Sequence, residues 1–471
     1  MMQMGRILWC LIATAMSCAL TVPDAGATNA LQMPADNSMV SARVSITQRI
    51  RIASDIRAAV GRYFAHWQGM PANDNFAADF EDYTRTIAAT DSRRDFDLAT
   101  LMLFAHLHNG HTGFHDHWLV AHSGGPVGIA VERHHGRWLI VSSHRVGLSP
   151  GDVIIGVNGT SMDEFYADKK RYIAASSARA RADKLFIRPF LFPEHFVLTL
   201  ADGSKATIDR SVALLPHRHS ADEKPRAEGG WPSGTYYHAI PSFDAPKYEK
   251  AAVAFVKEHR DAKTLVLDLR GNGGGNTPED LIHALIVSPY RSMAEASAMS
   301  VGLLAAYGSF ADASEAPNAP RFRAIASAMH NYFERPMMYW PGRIIAPDQP
   351  IYYGRLIVLI DRHCASACED LLMPLKTSDR ATLIGETSYG STGQPYIKDY
   401  NNGMGFRVGA KREFFGNGQP FEGVGIQPDI AVDITAPDLK QGRDPILDAA
   451  HVLAARGTNS TADDNTLSDH Q

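Results

Sequence analysis

The chain has 471 residues, 45% of them hydrophobic and 21% charged, with a formal net charge of −5. That length exceeds what one core usually serves and implies two or three domains of ordinary globular composition. A mildly acidic balance removes the electrostatic case for a nucleic-acid partner, which asks for a clustered basic face.

In chain order, Arg6 precedes the apolar run Ile7–Met16, and Ala25-Gly-Ala27 supplies small residues for cleavage. This pattern predicts a signal peptide over 1–27 and an exported protein, periplasmic or secreted. The run is too short to span a bilayer, and no later stretch is long enough. Cys10 and Cys18 fall inside the signal. The remaining pair, Cys364 and Cys368, is too small for a disulfide framework and reads as two buried packing residues.

Apolar residues at three- and four-residue steps, as in Ile50–Val60 and Phe96–Phe104, predict a helical N-terminal domain over 41–117. It closes on the histidine-rich run His106–His117. From 118 to 215 short β-like runs with Pro-Gly and Asn-Gly turns predict a small β-rich module. A linker over 216–234 follows, rich in Pro, Gly and charge. From 235 to 455 strands and helices alternate, giving an α/β core within a mixed α+β chain. Residues 292–339 read as a largely helical insertion, and 457–471 as a disordered tail.

The chemistry centres on Ser366. It lies between the apolar strand Leu356–Ile360 and a helix beginning near Ala367. A serine there can attack a carbonyl while the first helix amides face the oxyanion that forms. The loop Gly271-Asn-Gly-Gly-Gly275 follows another strand, and its backbone can approach a substrate closely. Ala367 with Gly274 or Gly273 is therefore the expected pair of oxyanion donors. A phosphate cradle is the competing use of such a loop, but the lysine and hydroxyl that accompany one are missing.

Asp268-Leu-Arg-Gly-Asn-Gly-Gly-Gly275, Cys364-Ala-Ser-Ala-Cys-Glu369, Gly385-Glu-Thr387 and Gly423-Val-Gly-Ile-Gln-Pro-Asp429 together resemble the C-terminal processing (tail-specific) peptidase family. The segment Leu148–Gly159 resembles part of the PDZ domain such peptidases carry, and His108-Asn-Gly-His-Thr-Gly113 the segment that closes their helical domain. The resemblance implies a crotonase-like ββα catalytic core with a helical N-terminal domain and an inserted PDZ-like module. It also implies serine-type peptide hydrolysis without a cofactor, acting on a peptide or protein. Many members use a Ser-Lys dyad, but Ser391 follows Gly385-Glu-Thr-Ser-Tyr-Gly390 where the lysine is expected. Lys376 lies ten residues beyond Ser366, roughly 15 Å along a helix at about 1.5 Å per residue. The chain is instead similar to the tricorn-core-like branch, with His111 matching the base and Glu422 the carboxylate that orients it. Thr112 and Ser391 are further candidates for polar contacts or for purely structural roles.

Several readings compete with catalysis. The fold that the resemblance implies also occurs in related retinoid-binding modules, so a non-catalytic peptide- or ligand-binding protein is one alternative. A metal-dependent hydrolase using the His106–His117 cluster is another, although Gly110 and Gly113 break any regular ligand face. Glu369 and Asp370 read as first-turn acids favoured by the helix dipole. The Val127–Val131 edge offers β-addition of a substrate tail, or only a gate to the core.

Overall fold

The computed structural model describes residues 41–71, 74–214, 229–298 and 337–459. The expected signal peptide with Cys10 and Cys18, the linker as far as 228, the interior of the insertion (299–336) and the tail from 460 lie outside these residues.

Thr264–Asp268 and Arg355–Ile360 carry apolar residues at consecutive positions, as strands covered on both faces do. They occupy the middle of a five-stranded parallel sheet. Its spatial order follows the chain: Thr235–Ala239, Thr264–Asp268, Arg355–Ile360, Thr382–Gly385 and Ile430–Ala431. Successive side chains point to opposite faces. Leu265, Leu267, Leu356, Val358 and Ile360 therefore meet a helical layer containing Leu281, Leu285, Leu371 and Leu375. Val266, Ile357, Leu359 and Ile384 meet Ile446, Leu447 and Ala450 of the helix Pro445–Asn459. Because the strands are parallel, the turns after Asp268, Ile360 and Gly385 all leave the sheet at one edge, where ligand crevices form in such sheets.

The N-terminal helices Ile46–Tyr63, Phe76–Ala88 and Arg93–Ala105 are capped by the side chains of Ser45, Asn75 and Ser92. Such caps satisfy amides that have no partner inside the helix. The histidine-rich run then becomes a strand, Gly113–Asp116, antiparallel to Met404–Gly409, which in turn pairs with Pro395–Asp399. A fully buried ion pair, Arg93 Nε to Asp116 Oδ2 at 2.6 Å, anchors this strand to the third helix. The pairing draws the turn holding His111 toward the C-terminal half of the chain.

The β-rich module holds a six-stranded sheet in the order Ile129–His134, Arg137–Ser143, Val153–Val157, His195–Leu200 and Lys205–Asp209, with Thr160–Ser161 beside Val153–Val157. Phe64 and Phe104 of the helices, Leu198 of the module and Phe406 belong to one apolar cluster. Packing is therefore continuous across the 117/118 boundary drawn from the sequence. The edge strand Ile129–His134 is partly covered, since the Arg133 amide donates to Asp183 at 2.9 Å. Arg362 ties module to core: its guanidinium meets Glu386 at 2.5 Å, Asp183 at 3.3 Å and Glu132 at 3.5 Å. Arg362 lies four positions before Ser366, so this clamp ties the module to the turn that carries that serine.

Three sequence expectations change. The insertion is bounded by strands, Ala294–Ala298 and Met337–Trp340, paired with each other; Ala294–Ala298 also pairs with Lys411–Phe414. Ala-Glu-Ala-Ser-Ala has helical propensity, and pairing overrides it. The final helix continues to Asn459, past the expected start of a disordered tail at 457. Cys364 and Cys368 are joined in a disulfide that spans Ser366. A turn brings their Cα atoms within 5.5 Å, inside the range a disulfide bridges, which sequence spacing did not reveal.

Candidate active site

Ser366 caps the helix Ala367–Thr377 and has φ 55° and ψ −123°. Residues other than glycine populate that region sparsely, and it persists only where the surroundings enforce it. Here several contacts do so. The Ser366 amide donates to the Ser391 carbonyl at 2.9 Å, and the Ala365 amide to the Asn272 carbonyl at 3.1 Å. The disulfide closes the turn from either side. The strain lifts the half-buried serine to the sheet edge in the manner of a nucleophile elbow.

The turn at His111 is built by Asn109, which is fully buried. Its Oδ1 accepts from the His111 amide at 3.0 Å and from Thr112 Oγ1 at 2.8 Å. Thr112 is thus a support for this turn. His111 Nε2 lies 3.4 Å from Ser366 Oγ, a separation typical of a site without substrate. His111 Nδ1 lies 2.7 Å from Ser391 Oγ, which donates to Glu422 Oε1 at 2.7 Å. Glu422 therefore reaches His111 through a serine rather than directly, which corrects the simple triad drawn from the sequence. The same carboxylate oxygen accepts from Ser176 Oγ at 2.5 Å and Asn109 Nδ2 at 2.8 Å.

These contacts assign the tautomer. An ionised carboxylate only accepts, so the Ser391 proton points at Glu422. The lone pairs of Ser391 then accept from Nδ1–H of His111, leaving the Nε2 lone pair toward Ser366. Burial, with Arg407, His66 and Lys184 nearby, holds His111 well below its usual range, so it is neutral and able to accept a proton. Burial pushes Glu422 up to about 7, against the hydrogen bonds from Ser176 and Ser391 and the charge of Arg412.

The glycine loop divides its labour. A Cβ on Gly274 would stand 2.6 Å from both Ser366 Cβ and the Ala365 carbonyl oxygen, so only glycine fits there. The Gly274 amide, however, donates to Asn272 Oδ1 at 2.9 Å. That removes Gly274 as an oxyanion donor. The Gly273 and Ala367 amides donate to no backbone carbonyl among the described residues. Asn272 is fully buried and also donates to the Ile240 carbonyl, linking the loop to the neighbouring strand end.

Glu369 is more than a dipole-favoured acid. Fully buried, it accepts from Ser388 Oγ at 2.5 Å and from the amides of Gly390 and Ser391 at 2.7 and 3.0 Å. It thereby shapes the loop that carries Ser391. Asp370 accepts from Thr277 and Thr392 hydroxyls. Lys376 is paired with Asp429, away from Ser366.

The other histidines of the run diverge. His106 and His108 pair with Asp79 and Asp74, while the rings of His115 and His117 lie 5.7 Å apart. Among the described residues no group of three or more His, Cys, Asp and Glu is arranged to hold a metal.

Asn109, Ser176 and Asn272 were not singled out by sequence. Asn109 and Asn272 each precede a glycine within quoted motifs, the one signal available. Ser176, on the module, had none.

Residues 235–432 match a family model described as Peptidase family S41. A 92-residue segment, 20% of this chain, is 33% identical to the carboxy-terminal-processing protease of Bartonella bacilliformis, and the match covers 21% of that protein. The chain thus matches about a fifth of the length of that curated relative. Among solved structures, mature CPAF aligns with a TM-score of 0.68 at 12% identity, covering 88% of this chain and 98% of that one. Mature CPAF complexed with lactacystin gives 0.66 at 13% identity, covering 88% and 99%. At such identity these two structures speak to the fold alone.

Proposed function

We propose, from the premise that this chain carries a serine peptidase domain of Peptidase family S41 over residues 235–432, that it is an exported endopeptidase acting through Ser366, His111, Ser391 and Glu422. The observation that carries this reading is His111, with one ring nitrogen facing a strained Ser366 and the other joined through Ser391 to a buried carboxylate. The core is read as crotonase-like, residues 118–215 as a PDZ-like module that presents or gates the substrate, and 1–27 as the signal for export.

In this reading Ser366 Oγ attacks the peptide carbonyl carbon and passes its proton to His111 Nε2. The amides of Ala367 and Gly273 stabilise the tetrahedral oxyanion. As the C–N bond breaks, His111 protonates the leaving amine, and Ser366 holds the acyl group as an ester. Water then attacks the ester, its proton taken by His111, and the carboxylic acid departs with Ser366 restored. Glu422, acting through Ser391, keeps Nδ1 protonated and stabilises the imidazolium.

A fluorophosphonate probe tests the reading. Folded wild type is expected to label on Ser366 and Ser366→Ala not at all; equal labelling of the two removes the nucleophile assignment and favours a binding protein on the same fold.

The pH profile follows from the two shifts. His111 stays neutral across the working range, whereas Glu422 protonates as pH falls through about 7 and then no longer compels Ser391 to accept from Nδ1–H. The acid limb of kcat/KM is therefore expected near pH 7 and to flatten in Glu422→Gln. An unchanged limb in that variant assigns the titration to another group.

A further inference from the structure

Beside His111 lies a group of cations that the reaction above does not use. Lys184 follows the module helix Ala178–Asp183, Arg188 lies in the next turn, and Arg407 belongs to the strand Met404–Gly409. All three are half-buried. They are gathered around Tyr389: the Lys184 ammonium stands 5.3 Å from the centre of its ring. That ring packs on Gly110, where a Cβ would come within 3.1 Å of it. Arg407 donates to the Gly110 carbonyl at 3.0 Å, one residue from His111.

The group lacks anions. Lys184 donates to a neutral acceptor, the Ala174 carbonyl at 3.2 Å. Among the described residues none of the three cations forms an ion pair, and Arg188 Nε and the Tyr389 hydroxyl are buried without partners. Glu422 is the carboxylate whose charge reaches Lys184, and its Oε1 already accepts three donors. Burial above all, and then the neighbouring Arg188, Arg407 and Arg181, draw Lys184 down to about 7. Desolvated charge without a counter-ion is unfavourable, and an arriving anion relieves it.

We infer that Lys184, Arg188 and Arg407, with the Tyr389 hydroxyl, receive a carboxylate of the peptide substrate and so select acidic peptides; the inference rests on the peptidase reading above. Two modules contribute to this receiving site, so it exists only where the β-rich module abuts the strand Met404–Gly409. Cations serving only to keep His111 neutral would act on all substrates alike.

Quenched peptides differing by one Asp or Asn, placed in turn at each position near the cleaved bond, test this. A second pair, with free or amidated C-terminus, distinguishes a side-chain carboxylate from the terminal one. Wild type is expected to favour one acidic member by about tenfold in kcat/KM, expressed mainly in KM and weakened by salt. In Lys184→Met and Arg188→Gln that ratio is expected to collapse toward one. Equal rates for every pair in wild type, or a preference intact in both folded variants, overturn the inference. Binding of the same pairs to Ser366→Ala, read by fluorescence anisotropy, answers without turnover. Equal affinities there sink the cation site, whereas acid-selective binding supports it even if wild type fails to cleave, a failure that counts against the peptidase reading alone.

Discussion

His111→Ala is expected to lower kcat on a peptide substrate by about ten-thousand-fold while leaving KM within a small factor. In the proposed mechanism the variant keeps the amides of Ala367 and Gly273, so residual turnover above the uncatalysed rate is expected. It loses the imidazole whose Nε2 lies 3.4 Å from Ser366 Oγ. Ser391→Ala and Glu422→Gln are expected to fall by less, about a hundredfold or more, because each leaves the imidazole present but frees its tautomer. The double variant Ser391→Ala/Glu422→Gln is the sharper measurement. The two act through a single chain of hydrogen bonds, so it is expected to be no worse than the poorer single variant. Losses that multiply would mean that Glu422 acts on His111 by some route other than Ser391.

Gly274→Ala is expected to be a damaging single-methyl change that acts directly on Ser366. The added Cβ meets Ser366 Cβ and the Ala365 carbonyl oxygen at 2.6 Å, and the residue sits at φ +94°. Backbone, not a flexible side-chain end, must move. Overpacking of this kind costs about 1–3 kcal/mol, and the positive φ adds about 1–2 kcal/mol. The larger consequence is for rate, since a displacement of about 1 Å at the nucleophile can cost about a hundredfold. Gly271→Ala is the comparison: its φ is +74° but no atom lies within 4 Å of the added methyl. It should show the backbone strain alone, as a smaller fall in thermal stability with most fluorophosphonate labelling retained. Equal damage from the two substitutions would contradict the steric account of Gly274.

Much of the α/β core was legible because its cause is local. Consecutive apolar residues in Thr264–Asp268 and Arg355–Ile360 mark strands covered on both faces, and a short turn then a helix marks the elbow at Ser366. The strands flanking the insertion were not legible. Ala294–Ala298 is a strand because Lys411–Phe414 and Met337–Trp340 lie beside it, and nothing in its own composition says so. The same holds for Glu369, whose place in the first helical turn explains its acidity while its burial and three donors come from a loop some twenty residues on.

By itself, then, the sequence determined the main strands and helices of the α/β core, the elbow at Ser366, the glycine loop beside it and the absence of a lysine at position 391. Those follow from neighbours in the chain, through backbone preference and apolar periodicity. Only the tertiary structure decided how His111 is held. His111 and Ser391 are 280 residues apart, and Asn109 and Glu422 are 313 apart. They meet because Gly113–Asp116 pairs with Met404–Gly409 and because Glu422 Oε1 accepts from Asn109, Ser176 and Ser391 together. No local pattern encodes a hydrogen bond across that distance. That is why Glu422 entered only through the family resemblance, and Ser391 only as a candidate for a polar contact or a structural role.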